Sequence, residues 1–184
     1  LWRPSASIVC IPNGVDALRL GVQRPAAKQH SGPSIVFVGR LHPIKRLDLL
    51  VDAFVRVKAE NAQARLVIAG PDDTGLRMAL SERAGVAAPS IHWTGHVTSE
   101  QRDTLLSEAD ALVLCSDSES FGVSVLEPMS ARVPVVATDT SGWHDVPIHG
   151  GGLVVPQRAD AIAGALGRIV QYPAEAREMG RRGY

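Results

Sequence analysis

The chain is poor in aromatic residues, in cysteine and in net charge, and each shortage narrows its class. Aromatics make up 4% of the 184 residues, while alanine, valine and leucine are plentiful; this balance suits an α/β domain built on a parallel sheet. The formal net charge is zero, so no basic field points to nucleic acid or to an anionic membrane. The cysteines, Cys10 and Cys115, are far apart and lack metal-ligand spacing. Cys115 closes an apolar run and reads as a buried free thiol, which makes a reducing, cytoplasmic setting the expectation. Histidines are scattered, with no His-x3-His pair and no cysteine partners nearby, which argues against zinc. No stretch reaches transmembrane length and no signal peptide is visible. No Gly-x-Gly-x-x-Gly follows the first apolar run, which weakens a dehydrogenase reading, and no Gly-x4-Gly-Lys-Ser/Thr phosphate loop occurs. Internal repeats and low-complexity segments are absent too.

What is present is an alternation. Residues 1–33 are rich in turn formers (Pro4, Pro12, Asn13-Gly14, Pro25, Gly32-Pro33) and read as a leading segment or interdomain linker. Residues 34–184 read as one domain. Apolar runs at Ile35–Val38, Arg65–Ala69, Ile91–Thr94, Ala111–Cys115, Pro134–Ala137 and Leu153–Val155 predict six short buried strands. Between them lie helical patterns. Leu47, Leu50, Val51, Phe54 and Val57 recur at helical spacing, with Asp48, Asp52 and Arg56 on the opposite face. Further helices are expected over 73–85, over 100–109 with Thr98 or Ser99 as N-cap, over 122–131, and near 158–171 and 174–182. The pattern predicts a Rossmann-like, doubly wound parallel sheet of about six strands with helices on both faces. Ligands of such folds bind beyond the carboxyl ends of the strands, so the loops to inspect are 39–46, 70–74, 95–98, 116–122 and 138–151. The chain begins at Leu1 without methionine and ends just after a helical pattern, and is read as a piece of a longer protein.

The most informative chemistry lies in Glu119-Ser-Phe-Gly-Val-Ser-Val-Leu-Glu127. Two carboxylates flank a Phe121-Gly122 step that opens a predicted helix. Free N–H groups at such a start favour an anion, and Gly122 allows close backbone approach. Glu127 would sit about 7–8 Å along the helix axis. Neither glutamate can hold a phosphate, but each can accept hydrogen bonds from sugar hydroxyls. In the ordinary alternative, Glu119 is a surface loop residue and Glu127 a solvated helix residue. A second cluster, Gly39-Arg40-Leu41-His42-Pro43-Ile44-Lys45, follows the first strand. Arg40 can fork onto phosphate oxygens and Lys45 adds a compact charge. Basic residues before a helix are also common, and Asp48 is a candidate partner for Lys45. Asp117-Ser-Glu119 imitates an Asp-x-Asp metal motif, and Asp72-Asp73 is read as a helix N-cap in preference to a Mg²⁺ site.

Phe37-Val-Gly-Arg-Leu with Lys45, Leu66-Val-Ile-Ala-Gly70, the Glu119–Glu127 pair, Pro134-Val-Val-Ala-Thr138 and the upstream Ile11-Pro-Asn-Gly-Val-Asp16 stand in family order and spacing. Together they resemble the C-terminal nucleotide-sugar-binding domain of the retaining group 1 glycosyltransferases, two-domain enzymes of GT-B architecture. The resemblance implies that Arg40 and Lys45 hold the donor diphosphate and that Glu119 binds donor-sugar hydroxyls. It gives Phe121 and Gly122 backbone contacts to sugar and phosphate, and Glu127 the ribose hydroxyls. Gly39 would permit close phosphate approach, the base would rest near Gly70, Pro71, His96 and Val97, and Asn13 is a candidate cleft residue. Arg40, Lys45 and Glu119 are thus the expected catalytic residues, with no metal and no cofactor. The expected partners are a UDP- or GDP-linked sugar and an acceptor-binding N-terminal domain, which would also carry any peripheral membrane association.

On this resemblance the fragment is expected to bind nucleotide without transferring sugar to a glycan, lipid or small acceptor. One departure concerns the loop after the fifth strand. Relatives often carry Gly-Gly-x-Pro-Glu there, whereas this chain has Thr140-Ser-Gly-Trp-His-Asp145. His144 and Asp145 either meet substrate or close a capped turn. Gly150-Gly-Gly-Leu-Val-Val-Pro156 resembles the family's return strand. Two other readings stay open: a nucleotide-sugar epimerase of the same architecture, and a degenerate, non-catalytic binding module.

Overall fold

The computed structural model describes residues 30–119, 123–144, 146–147 and 149–184. Six parallel strands form one sheet: β1 (Ser34–Val38), β2 (Arg65–Ala69), β3 (Ile91–Gly95), β4 (Ala111–Leu114), β5 (Val135–Thr138) and β6 (Gly152–Val155). Their order across the sheet is β3-β2-β1-β4-β5-β6. The helices are α1 (Leu47–Glu60), α2 (Leu76–Ala84), α3 (Ser99–Glu108), α4 (Val123–Ser130), α5 (Ala159–Gln171) and α6 (Pro173–Gly183). The expected doubly wound architecture is therefore present, with strand ends displaced by a residue or so.

Helices cover both faces, so the central strands are apolar in continuous runs, Ile35–Val38 and Ala111–Leu114, rather than at alternate positions. Ile35, Phe37, Leu66, Ile68, Val113 and Val136 pack with Leu50 and Phe54 of α1 and Ile162 and Leu166 of α5. Val36, Val67, Leu112, Leu114, Val135 and Ala137 point the other way, against Leu106 of α3 and Val125 of α4. This alternation is the period of two that a strand imposes. Fully burying a side chain such as Phe54 or Leu166 contributes about 1.5–3 kcal/mol.

Local signals explain most element ends. Thr98 caps α3 in a reciprocal box with Gln101, which decides between the two candidate caps. The helix expected over 73–85 is shorter, because Gly75 adopts a left-handed conformation before Leu76 and Gly85 opens a 3-10 segment to Ser90. Asp72 still caps α2, its carboxylate accepting from Leu76 N at 2.9 Å and Arg77 N at 2.9 Å. Pro173 sits in the first turn of α6, where its missing N–H costs nothing.

Two glycines at the carboxyl edge hold the loops close together. Gly39 N donates to Ala69 O, and Gly70 N donates to Gly95 O. Gly70 has φ +148°, and a Cβ there would lie 1.9 Å from the carbonyl oxygen of Gly39. Gly75, at φ +73°, has nothing within 4 Å of the same position. Gly70→Ala is thus expected to cost about 2–3 kcal/mol through backbone overlap, a fall in thermal midpoint of roughly 5–10 °C for a chain of this size. Gly75→Ala should cost only the left-handed penalty of about 1 kcal/mol. Equal shifts for the two variants in thermal unfolding would contradict this account.

Candidate functional site

The sheet reverses its direction of growth between β1 and β4, which are hydrogen-bonded neighbours although β2 and β3 lie between them in sequence. The loops leaving β1 and β4 therefore open on opposite sides and leave a crevice at their carboxyl ends. Lys45 arrives from the β1 loop, as the last residue of a 3-10 turn over Pro43–Lys45. Glu119 arrives from the β4 loop. Lys45 Nζ donates to Glu119 Oε1 at 2.6 Å, and Ser116 Oγ donates to the same oxygen at 2.6 Å. Both side chains are well covered, at 22% and 10% exposure. Among the described residues the second carboxylate oxygen of Glu119 has no partner.

A brace holds the two loops around this pair. Asp117 N donates to Ile44 O at 2.8 Å. Arg46 reaches Asp48 through two nitrogens, both at 3.1 Å, and Asp117 Oδ1 through a third at 3.2 Å. Gln157, following β6, donates to Asp117 Oδ1 at 2.9 Å and to Cys115 O at 3.0 Å. Thr140 Oγ1 donates to Ser116 O at 2.8 Å. Asp48 thus pairs with Arg46 and not with Lys45, because Arg46 sits left-handed at φ 49° and turns back over the start of α1. The Asp48 hydrogen bond, against burial and helped by Asp117, raises the Arg46 guanidinium above its ordinary value. Burial pushes Asp48 up, but Arg46 outweighs it and holds the carboxyl below the usual range. Asp48 therefore supports the fold above the ordinary aspartate range and loses that support as pH falls through its lowered pKa. Cys115 is buried beneath the brace and its thiol is pushed up to about 12 by desolvation. It is inert packing.

The remaining expected residues fall into place unevenly. Arg40 is exposed on the β1 loop, with no ion pair among the described residues. Gly39 and Gly70 lie at the same edge, where their plain effect is to let two backbones touch. His96 is exposed and Val97 half-buried just beyond β3. Glu127 is not a solvated helix residue: it is half-buried, and its Oε1 lies 2.8 Å from Arg102 Nη1 of α3. Burial raises its carboxyl above the ordinary range, Arg102 pulling it down and Asp103 pushing it up. Asn13, Phe121, Gly122 and Asp145 lie outside the described residues. Trp143 packs on the core face of β4 and β5, while His144 is exposed.

Ser116, Arg46, Gln157 and Arg102 are site neighbours that sequence reasoning did not single out, and Asp117, noted there only within a metal-like pattern, takes part in the brace. A cavity of about 550 Å³ borders the brace, lined by His42, Ile44, Arg46, Leu80 and Asp117 among others. A larger groove of about 640 Å³ runs between α1 and α5, and neither Lys45 nor Glu119 lines it. Among the described residues, no group of three or more His, Cys, Asp or Glu converges to hold a metal.

The brace has a direct consequence for stability. Arg46→Ala removes the ion pairs but keeps the strain of the left-handed backbone, whereas Arg46→Gly removes both the pairs and that strain. The glycine variant should therefore be the more stable of the two by about 1 kcal/mol. Urea denaturation measures this, and an alanine variant as stable as the glycine one would contradict the strained turn.

A family model described as "Glycosyl transferases group 1" matches residues 22–184. The chain is 29% identical over 181 residues to a glycogen synthase of Mycobacterium tuberculosis, covering 96% of the chain and 43% of that protein. It is 31% identical over 180 residues to a GDP-mannose-dependent alpha-(1-6)-phosphatidylinositol dimannoside mannosyltransferase of the same species, covering 94% and 46%. The chain thus spans less than half the length of these curated relatives. The crystallised C-terminal domain of the group 1 family protein LpcC from Francisella tularensis superposes with a TM-score of 0.81 at 21% identity, covering 93% of this chain and 95% of that one. Anabaena HepE, solved with UDP and glucose, superposes at 0.70 with 19% identity over 83% of this chain and 42% of its own. With a match over residues 22–184 and the sheet order of a doubly wound domain, the chain belongs to the group 1 glycosyl transferase family.

Proposed function

We propose that the chain forms the donor-binding part of a retaining GT-B glycosyltransferase that moves a sugar from UDP or GDP to a glycan, lipid or small acceptor. The observation that carries this reading is the meeting of Lys45 and Glu119 at the β1–β4 crevice, 2.6 Å apart. Such a pair suits a ligand that is anionic in the middle and rich in hydroxyls at its ends. An ammonium has three N–H donors. One lies on Glu119, leaving others for diphosphate oxygens, while the free oxygen of Glu119 can accept from a sugar hydroxyl. Arg40, exposed and without an ion pair among the described residues, adds the second cation. Glu127 takes the ribose hydroxyls, and the base rests near Gly70, His96 and Val97. The names of two relatives, one GDP-mannose-dependent and one solved with UDP and glucose, support either nucleotide.

The chemistry follows from where charge develops. As the anomeric C–O bond to the diphosphate breaks, its electron pair stays on the leaving phosphate and the sugar becomes oxocarbenium-like. Lys45 and Arg40, placed beforehand, stabilise the growing negative charge, which is usually the largest catalytic effect. The acceptor hydroxyl attacks the same face, and its proton passes to the leaving phosphate. No carboxylate serves as a nucleophile in this scheme, and the cations take the place of a metal. Cys115, buried and unpaired, is in keeping with a reducing, cytoplasmic compartment. The acceptor would be held by a separate domain.

Titration calorimetry with UDP, GDP and ADP tests the binding claim. At least one should bind, and EDTA should leave that binding unchanged. Glu127→Ala and Arg40→Ala should each weaken it roughly 10- to 100-fold, the value of a hydrogen bond to a charged group. No binding to any nucleotide, or unaltered binding by both variants, would overturn the assignment. The chain alone is expected to show no sugar transfer in a product assay, and turnover would refute the need for a separate acceptor domain.

A further inference from the structure

Glu127 does not stand alone. Arg102, at the start of α3, lies at the carboxyl edge of the sheet just beyond β3. Its Nη1 is 2.8 Å from Glu127 Oε1, and its Nη2 is 3.6 Å from Asp103 Oδ1. The Nε of the same guanidinium is buried with no hydrogen-bond partner among the described residues. The guanidinium thus pairs closely with Glu127, stands beyond hydrogen-bond reach of Asp103 Oδ1 and leaves a buried donor unsatisfied, a costly arrangement that packing alone does not favour. Glu127 Oε2 has no partner among the described residues. The Nη1 contact ties down Oε1 and so restricts where the other carboxylate oxygen can lie. The charge of Arg102 also opposes the rise that burial imposes on the Glu127 carboxyl, and an ionised acceptor makes the stronger hydrogen bond to a hydroxyl.

We propose that Arg102 is a positioning residue for ribose recognition: it orients Glu127 so that the free carboxylate oxygen accepts the ribose hydroxyl pair. This rests on the reading of Glu127 as the ribose acceptor of a nucleotide site. On that reading Lys45 and Arg40 hold the diphosphate, so the effect of Arg102 is confined to the sugar of the nucleoside. A purely structural tie between α3 and α4 would instead affect every ligand alike.

The test compares three ligands by calorimetry on the whole chain: UDP or GDP, whichever binds, its 2′,3′-dideoxy analogue, and inorganic pyrophosphate. Wild-type protein should prefer the ribonucleotide over the dideoxy analogue by at least about tenfold, the value of a charge-assisted hydrogen bond. In Arg102→Met that preference should collapse towards unity, with pyrophosphate affinity unchanged. Arg102→Lys should restore part of it, because the charge returns without the fork. If Arg102→Met does not fold, Arg102→Gln carries the same comparison, with the thermal midpoint as the check on folding. A preserved ribose preference in the variants, or a parallel loss for all three ligands, overturns the proposal while leaving the donor site standing. Failure of the wild-type chain to bind any nucleotide overturns both.

Discussion

The adjacency of β1 and β4 is the constraint on which the site depends. Lys45 and Glu119 are 74 positions apart, and of their partners only Ser116, which bonds Glu119 from the same loop, is near in sequence. Only the strand order β3-β2-β1-β4-β5-β6 brings their loops to one place. That order is in turn stabilised by two apolar layers that share the strands, with odd and even positions feeding opposite faces. A substitution deep in either layer would therefore reach the site through strand position, without touching a functional side chain. The pair itself is short and largely covered, and a single carboxylate oxygen receives both an ammonium and a hydroxyl. Covered charges are tolerable only when paired and hydrogen-bonded. The Asp117, Arg46, Asp48 and Gln157 brace supplies the fixed geometry this requires.

Much of the architecture was legible in local pattern. The strands are short apolar runs ended by Gly39, Gly70 or Gly95, and α1 shows its buried face at Leu47, Leu50, Val51, Phe54 and Val57. The cap on α3 followed from Thr98 and Gln101. Boundaries moved where a glycine took a left-handed turn, as at Gly75 before α2. Partner choice was much less legible. Spacing pointed Asp48 to Lys45, whereas the structure pairs it with Arg46. The left-handed backbone at Arg46 decided it, and nothing in the residue type announces that conformation. The spacing of Glu119 and Glu127 singled them out, yet their charged partners come from elsewhere, Lys45 from the β1 loop and Arg102 from α3, with Ser116 the neighbour that bonds Glu119 from its own loop. Arg102 was the hardest to foresee. Its helix is polar through most of its length, with burial at Leu106, Ser107 and Glu108, so no apolar stripe shows which face turns towards α4.

The two glutamates differ more in their partners than in their own chemistry. Glu119 is held by a lysine and a serine, whereas Glu127 is held by an arginine. A lysine ammonium is a compact charge on a flexible stem, and its three donors can be redistributed as a ligand arrives. An arginine fork is planar and gives up one geometry only at a loss. On the proposed reading, this difference fits what each end of the donor undergoes. At the sugar end, charge separates and the anomeric bond breaks, so the cation there must be able to follow the leaving phosphate. At the ribose end nothing reacts, and a rigid acceptor serves best because its only task is to fix position. A site with the partners exchanged would anchor the reacting end and loosen the passive one. The same pair of carboxylates, with the same spacing, would then bind the nucleotide less well and stabilise the departing charge less well.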